Sequence, residues 1–302
     1  MGLLNPPVIE QHDVQGHTVT VVRDDLCCPW PGPNNAKMRG LELLLEKARQ
    51  AGHTTVVSVN TNISRLGWGV SWMTRQMGMT HIDGGFAPQT FFSQMSQSWG
   101  GRAILVPATH VSIAEKFVAC HLTDTKAFWL PRGLRSQATL EAYDRLLDGL
   151  DGSLFAGSVV LCASSGTIMT ALLYAMEKRR LAPDVFGIMP CRMPEKVDRV
   201  AGLLREAGQA APPRARFQLV DSGFDYSQRC LEPSPFPCDV YLDRKAWHWL
   251  TEHLRLLRKP VTFWNIGGEW DYRAGLDGGL RGDGLTAAAD VHQWLEEHRG
   301  QP

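Results

Sequence analysis

Short apolar, β-rich runs alternate with helical patterns along most of the 302-residue chain. That alternation confines it to an α/β fold, with parallel strands joined by helical crossovers. The expected strands are His17–Val22, Thr55–Val59, Ala103–Val106, Ala127–Leu130, Ser158–Cys162, Val185–Met189, Phe217–Val220 and Val261–Asn265. Helical periodicity with charged outer faces falls on Leu41–Gln50, Trp68–Gln76, Ser112–Ala119, Gln137–Asp148, Thr167–Lys178, Pro194–Ala207, Lys245–Arg258 and Leu285–His298. In the first of these, Leu41, Leu44, Leu45 and Ala48 form the buried stripe while Glu42, Glu46, Lys47 and Arg49 face away. Gly52 is placed to end that helix in a left-handed conformation.

A hydrophobic content of 44% supplies core for one large body or two lobes. The Pro/Gly-rich pieces Pro29–Pro33, Gln209–Pro213 and Glu232–Pro237 are too brief for disordered linkers and read as ordered loops. Thirty-one basic residues balance 31 acidic ones, so no global field draws the chain to nucleic acid or an anionic membrane, although a local basic groove stays open. Seven scattered cysteines have neither zinc-site nor disulfide-scaffold spacing, which points to reduced thiols and a cytoplasmic protein. No apolar run approaches the roughly 20 residues that span a bilayer, and the amino terminus lacks an export pattern. His81 and Asp83, even with His110, do not make a ligand set at a recognised spacing, so no metal is expected.

Two segments suggest chemistry. Lys37 stands at a loop-to-helix junction behind a rigid loop, where partial desolvation and nearby cations would make it a usable nucleophile; a plain surface lysine fits the same pattern. Ser164-Ser165-Gly166-Thr167 follows an expected strand and opens an expected helix. Small residues there let backbone N–H groups and hydroxyls converge on a phosphate, and an ordinary helix cap would use the same residue types.

In order along residues 17–270, these segments resemble the tryptophan-synthase-like (fold type II) enzymes that use pyridoxal 5′-phosphate (PLP), and most of all the branch of 1-aminocyclopropane-1-carboxylate (ACC) deaminase and D-cysteine desulfhydrase. Arg23-Asp24-Asp25-Leu26 followed by Lys37-Met38-Arg39-Gly40-Leu41-Glu42 matches that branch's pattern around the lysine that carries PLP as a Schiff base. Ser164–Thr167 matches its phosphate loop, Val240-Tyr241 its substrate tyrosine, and Asn265-Ile266-Gly267-Gly268 the turn under the pyridine ring. Ser64-Arg65 falls where a helix start receives the substrate carboxylate. The resemblance implies a two-lobed fold with parallel sheets flanked by helices, a larger cofactor-binding lobe from residues 1–40 plus 153–302, a smaller substrate lobe from residues 41–152, and a homodimer. Lys37, Tyr241 and Ser64 would be catalytic. Ser164, Ser165, Gly166, Thr167, Asn265 and Gly267 would join Lys37 in holding PLP, and Ser64, Arg65 and Trp68 would meet the substrate.

The chain departs from the branch at groups that tune the chemistry. Ala36 replaces Asn before the lysine, Arg65 replaces another Asn, Leu242 stands where the deaminases place Glu, and Ile266 replaces a hydroxyl at the pyridine nitrogen. Asn265 or Asp243 is the expected substitute at that nitrogen. The interval from Tyr226 to Tyr241 is short, which implies a more open site. Trp68, Trp72, Trp247, Trp249, Arg65, Arg132 and Arg135 could then line a mouth that stacks a planar group. These breaks fit phage-borne relatives that act on glycyl or seryl groups attached to thymine in DNA. The expected function is therefore PLP-dependent C–N cleavage or decarboxylation of such a group. Deamination or desulfhydration of a free small amino acid is the rival reading, and non-catalytic PLP binding a third.

Overall fold

The computed structural model describes residues 2–29, 32–61, 64–87, 89–107, 110–122, 124, 126–193, 196–208 and 213–268. In chain order, the first half contains β1 (Val8–Val14), β2 (His17–Arg23), α1 (Met38–Gln50), β3 (Thr55–Asn60), α2 (Leu66–Gln76), β4 (Thr80–Phe86), α3 (Phe91–Ser98), β5 (Arg102–Val106), α4 (Val111–Cys120) and β6 (Phe128–Trp129). The second half contains α5 (Gln137–Asp148), β7 (Ser158–Cys162), α6 (Thr167–Lys178), β8 (Asp184–Met189), α7 (Lys196–Glu206), β9 (Arg216–Asp221), α8 (Asp243–His253) and β10 (Val261–Asn265). The expected helix Leu285–His298 lies outside the described residues.

Two compact units share the chain. The first is built from described residues within 1–27, 34–40 and 133–270, the second from those within 28–33 and 41–132. The chain leaves the first unit after Gly40 and rejoins it at Gly133, about one helix earlier than the boundary expected at Gly152. Packing explains the difference: α5 lies along α6, and Gly40 sits so close to Thr139 at the start of α5 that an added Cβ would come within 2.3 Å of its hydroxyl.

The first unit's sheet has the order β1-β2-β10-β7-β8-β9, parallel except for the β1–β2 pair. Every residue of β7 and β10 is buried, as parallel central strands covered on both faces require. Alternate side chains serve opposite faces. Val159, Leu161 and Trp264 pack with Leu172 and Met176 of α6, while Val160, Cys162, Val261 and Phe263 pack with Trp247 and Leu250 of α8. This two-faced burial fixes the register of β7 and hence the position of the loop that follows it.

The second unit holds a parallel sheet of order β5-β4-β3-β6. Val57, Ile82, Phe86 and Val106 bury one of its faces against Ala114 and Val118 of α4. Among the described residues no helix is long and apolar enough to cross a membrane, and no disulfide joins any of the seven cysteines.

Candidate active site

The Arg23–Asp25 segment that ends β2 is a buried electrostatic frame. Asp24 has no exposed surface, and its carboxylate accepts from Arg39 Nε, the Tyr143 hydroxyl (2.7 Å) and Trp264 Nε1 (3.0 Å). Asp25, equally buried, accepts from Arg23 at 2.9 and 3.0 Å. Since Arg39 lies two residues past Lys37, Asp24 ties the start of α1 to the end of β2. Buried charges persist only when so paired.

Lys37 is held from its other side by the turn after β10. Ala36 N–H donates to Ile266 O at 2.8 Å, Gly268 N–H to Asn34 O at 3.2 Å, and Lys37 N–H to Asn35 Oδ1 at 3.0 Å. Asp243 closes the turn by accepting from the N–H groups of Ile266 and Gly267, both at 3.0 Å. Gly268 is obligatory, because a Cβ there would approach Asp25 Oδ2 to 2.5 Å. The backbone of Lys37 is thus fixed while its amine meets no hydrogen-bond partner among the described residues. Burial pushes the ammonium below the ordinary lysine range, Cys162 and Asp243 partly restore it, and Arg135 lowers it again. An amine with such a pKa is nearer to its nucleophilic form.

Beyond β7, Ser164–Thr167 forms a cup at the start of α6. Gly166 takes φ +81°, the left-handed conformation that glycine tolerates, and no side chain caps the helix. Ser165 Oγ donates to Thr167 Oγ1 at 3.0 Å, and Thr167 Oγ1 to Gly133 O at 2.8 Å. The N–H groups of Ser165, Gly166 and Ile168 meet no acceptor among the described residues. Three converging free donors at a helix amino end, with hydroxyls around them, fit a phosphate group. Gly133, with φ +63°, supports the cup: a Cβ would lie 3.0 Å from Ser165 Cβ. A cavity of about 230 Å³ with mixed lining adjoins the cup at Thr167, bordered by Arg135, Gln137 and Glu206 as well as Leu140 and Leu203.

Tyr241 is half-buried, and its N–H is held by Asp239 Oδ1 at 2.9 Å. Asn265 is fully buried, with Nδ2 donating to Pro237 O at 3.1 Å. Its amide therefore braces the turn. Gly267 is the turn's contact with Asp243. One unit thus brings together Lys37, the Ser164–Thr167 cup, Tyr241, Asn265 and Gly267.

Ser64, Arg65 and Trp68 belong to the second unit. Ser64 Oγ accepts from Leu66 N–H at 3.2 Å and borders a pocket of about 10 Å³, room for about one water, together with Asn60, Thr61, Gly67, Asp83 and Phe92. Arg65 is buried with its guanidinium over the Phe92 ring at 5.8 Å. Trp68 has no exposed surface, Trp72 is buried, and Trp247 packs edge-on against Phe236 and Phe263 at 4.8 and 5.3 Å. The expected aromatic mouth is corrected accordingly: these rings are packing elements whose faces are already covered, as is the guanidinium of Arg65.

Sequence motifs did not reveal the second unit's buried polar chain. His81 bonds Ser58 Oγ (2.9 Å) and Ser71 Oγ (2.6 Å), and Asn60 Nδ2 joins Ser58 Oγ (2.7 Å) to Asp83 Oδ1 (2.6 Å). Burial lowers the His81 pKa from 6.5 to about 4, against the pull of Asp83. Between those values the unfolded chain holds a proton that the folded chain rejects. The contribution is therefore complete above about pH 6.5 and is lost as pH falls toward about 4, up to roughly 3 kcal/mol. Urea midpoints are expected to drop across that window, with a smaller slope in His81→Gln; an equal slope in the variant contradicts this assignment.

No family model matches the chain. A "Glycyl-dTMP PLP-dependent decarboxylase" of Pseudomonas phage M6 is 27% identical over 285 residues, covering 88% of this chain and 99% of the relative. Among solved structures, an ACC deaminase homologue superposes with a TM-score of 0.78 at 20% identity, covering 90% of this chain and 94% of its own. The chain has the fold type II architecture. A hydrogen sulfide-producing enzyme from Fusobacterium nucleatum (TM-score 0.63, 12% identity, 89% and 95% covered) and O-ureido-L-serine synthase (0.61, 14%, 96% and 96%) share that fold.

Proposed function

We propose that this fold type II chain is a PLP-dependent decarboxylase acting on a glycyl group carried by thymidylate or by thymine in DNA. The observation that carries the cofactor reading is the Lys37 amine, backbone-fixed, desolvated and without a hydrogen-bond partner among the described residues, in the same unit as a cup of free N–H donors. The phage relative, matched over nearly its full length, supports the choice of substrate.

Lys37 would hold PLP covalently, with its phosphate on Ser164, Ser165, Gly166 and Thr167. When bound, PLP supplies an electron sink for the pair left behind as the bond to the carboxylate breaks. The protein's own groups do the rest. The cup donors would hold the phosphate, the Asp243-braced turn would back the cofactor, and Lys37 or Tyr241 would return one proton to the α-carbon after CO₂ leaves. Ser64 is the second unit's proposed contributor to substrate binding, from the resemblance.

An infected host's cytoplasm is the compartment this reading implies. Balanced charge argues against tight duplex binding, so a nucleotide or an unstacked base suits the chain better than intact duplex. The test is incubation of glycyl-dTMP labelled in its carboxyl group. One CO₂ per substrate consumed, with the amine retained on the nucleotide, is expected. Label retained in solution, together with steady ammonia release from free D-cysteine or ACC, would overturn the proposal in favour of a deaminase.

A further inference from the structure

The cavity of about 230 Å³ beside the cup lies wholly within the first unit, between Arg135, Gln137 and Leu140 around the start of α5, Thr167 and Thr170 in α6, and Glu206 at the end of α7. It is rimmed by the exposed side chains of Gln137 and Glu206 and floored by the buried Thr167 and Thr170. Thr167 also belongs to the cup, so the cavity and the phosphate site share a wall. Its volume falls just short of the roughly 300–1,000 Å³ of a whole small-molecule pocket, which suits one end of a substrate.

The hydroxyls of the lining are already committed. Thr167 and Thr170 donate to the carbonyls of Gly133 and Gly166 at 2.8 and 2.9 Å, and Ser136 Oγ lies 3.2 Å from Thr139 Oγ1, whose own proton goes to Leu134 O. The remaining side-chain donors are the Arg135 guanidinium and the Gln137 amide, and a planar fork of N–H groups matches the edge of a phosphate. Leu203 and Ala207 join Leu140 in an apolar wall, and Glu206 offers one carboxylate at the rim that can accept from a hydroxyl. A ligand with one phosphate, an apolar ring and a hydroxyl meets all three. Arg135 is also close enough to Lys37 for its charge to be felt at the amine.

We infer that this cavity is the subsite for the sugar-phosphate of the nucleotide substrate, with Arg135 and Gln137 on the phosphate and Glu206 on a sugar hydroxyl. The inference rests on the functional reading above and deepens it. The carboxylate of the glycyl group leaves as CO₂, so the phosphate is the anion that can be held from binding to product. Binding energy from that non-reacting end then serves to orient the glycyl group at the cofactor.

The test compares kcat/KM for glycyl-dTMP and for glycyl-thymidine, which lacks the phosphate, in the PLP-loaded wild type, Arg135→Gln and Ala207→Phe, whose ring would fill the cavity. The wild type is expected to prefer the nucleotide roughly ten- to hundredfold, the scale of charge-assisted hydrogen bonds, through KM more than kcat. Both variants should bring that ratio close to one, and the ratio cancels any effect of Arg135 on the Lys37 amine. A wild-type ratio within about twofold of one, or an Arg135→Gln ratio within about twofold of the wild type's, overturns the inference. Should Arg135→Gln not fold, Ala207→Phe carries the same comparison. Glycyl-thymine in a short single-stranded oligonucleotide identifies the source of the phosphate: a matching loss in the variants means the DNA backbone, an unchanged rate free nucleotide. Calorimetry on PLP-loaded, borohydride-reduced protein, whose cup is filled, repeats the comparison without turnover. There dTMP should bind roughly tenfold or more tighter than thymidine, and equal binding overturns the inference. A wild type that turns over neither glycyl compound refutes the functional reading instead.

Discussion

Lys37→Ala is expected to lower turnover of glycyl-dTMP by roughly 10³-fold or more while leaving the fold as stable as before or slightly more so. Proton transfer by a positioned group is alone worth about 10²–10⁴-fold, and loss of the covalent anchor adds to it. Stability should not suffer, because the amine is desolvated without a hydrogen-bond partner among the described residues, an arrangement that costs free energy in the folded state. The backbone bonds that fix residue 37 run through its N–H and its neighbours and survive the substitution. Turnover and a urea melt on the same preparation check both halves. Residual turnover within about tenfold of wild type would mean that this amine is not the anchor.

Asp24→Ala is expected to have the largest effect on stability, about 3–5 kcal/mol, against a total of roughly 5–15 kcal/mol for a typical domain. The substitution leaves the Arg39 guanidinium buried without its carboxylate and strips acceptors from the Tyr143 hydroxyl and Trp264 Nε1 at once. Asp24→Asn keeps the shape and one acceptor oxygen, so it should fall between the two. Urea unfolding followed by tryptophan fluorescence measures this. A loss under about 1 kcal/mol in Asp24→Ala would show that the hub is not what ties α1 to β2.

The same hub explains why the site was partly legible in the sequence. Arg23–Leu26, Lys37 and Ser164–Thr167 are local motifs whose residues act within a few positions of one another, and the strand-to-helix switch at Cys162–Thr167 follows from periodicity alone. Gly133 reaches the cup from a distant segment, so no local spacing marks it.

The elements that escaped the periodicity reading have physical reasons. In β4, His81, Asp83, Gly84 and Gly85 break the apolar run; the polar pair is satisfied by the Ser58–Asn60–Ser71 network, and a Cβ on Gly84 would reach Val118 at 2.7 Å. α3 is serine-rich and eight residues long, and it owes its start to a capping box between Thr90 and Ser93. β1 is an edge strand with no fully buried residue, so it lacks an apolar signature. The glycine-rich stretch Gly275–Gly284 lies outside the described residues. Trp68 and Arg65, expected to line a mouth that stacks a planar group, are instead buried, Arg65 with its guanidinium over the Phe92 ring.

Borohydride reduction of the protein purified with PLP, followed by peptide mass spectrometry, tests the central claim most directly. The phosphopyridoxyl mass should appear on the peptide bearing Lys37 and vanish in Lys37→Ala. Absence of that mass, or its appearance on a different lysine, would contradict the assignment of Lys37 as the anchor.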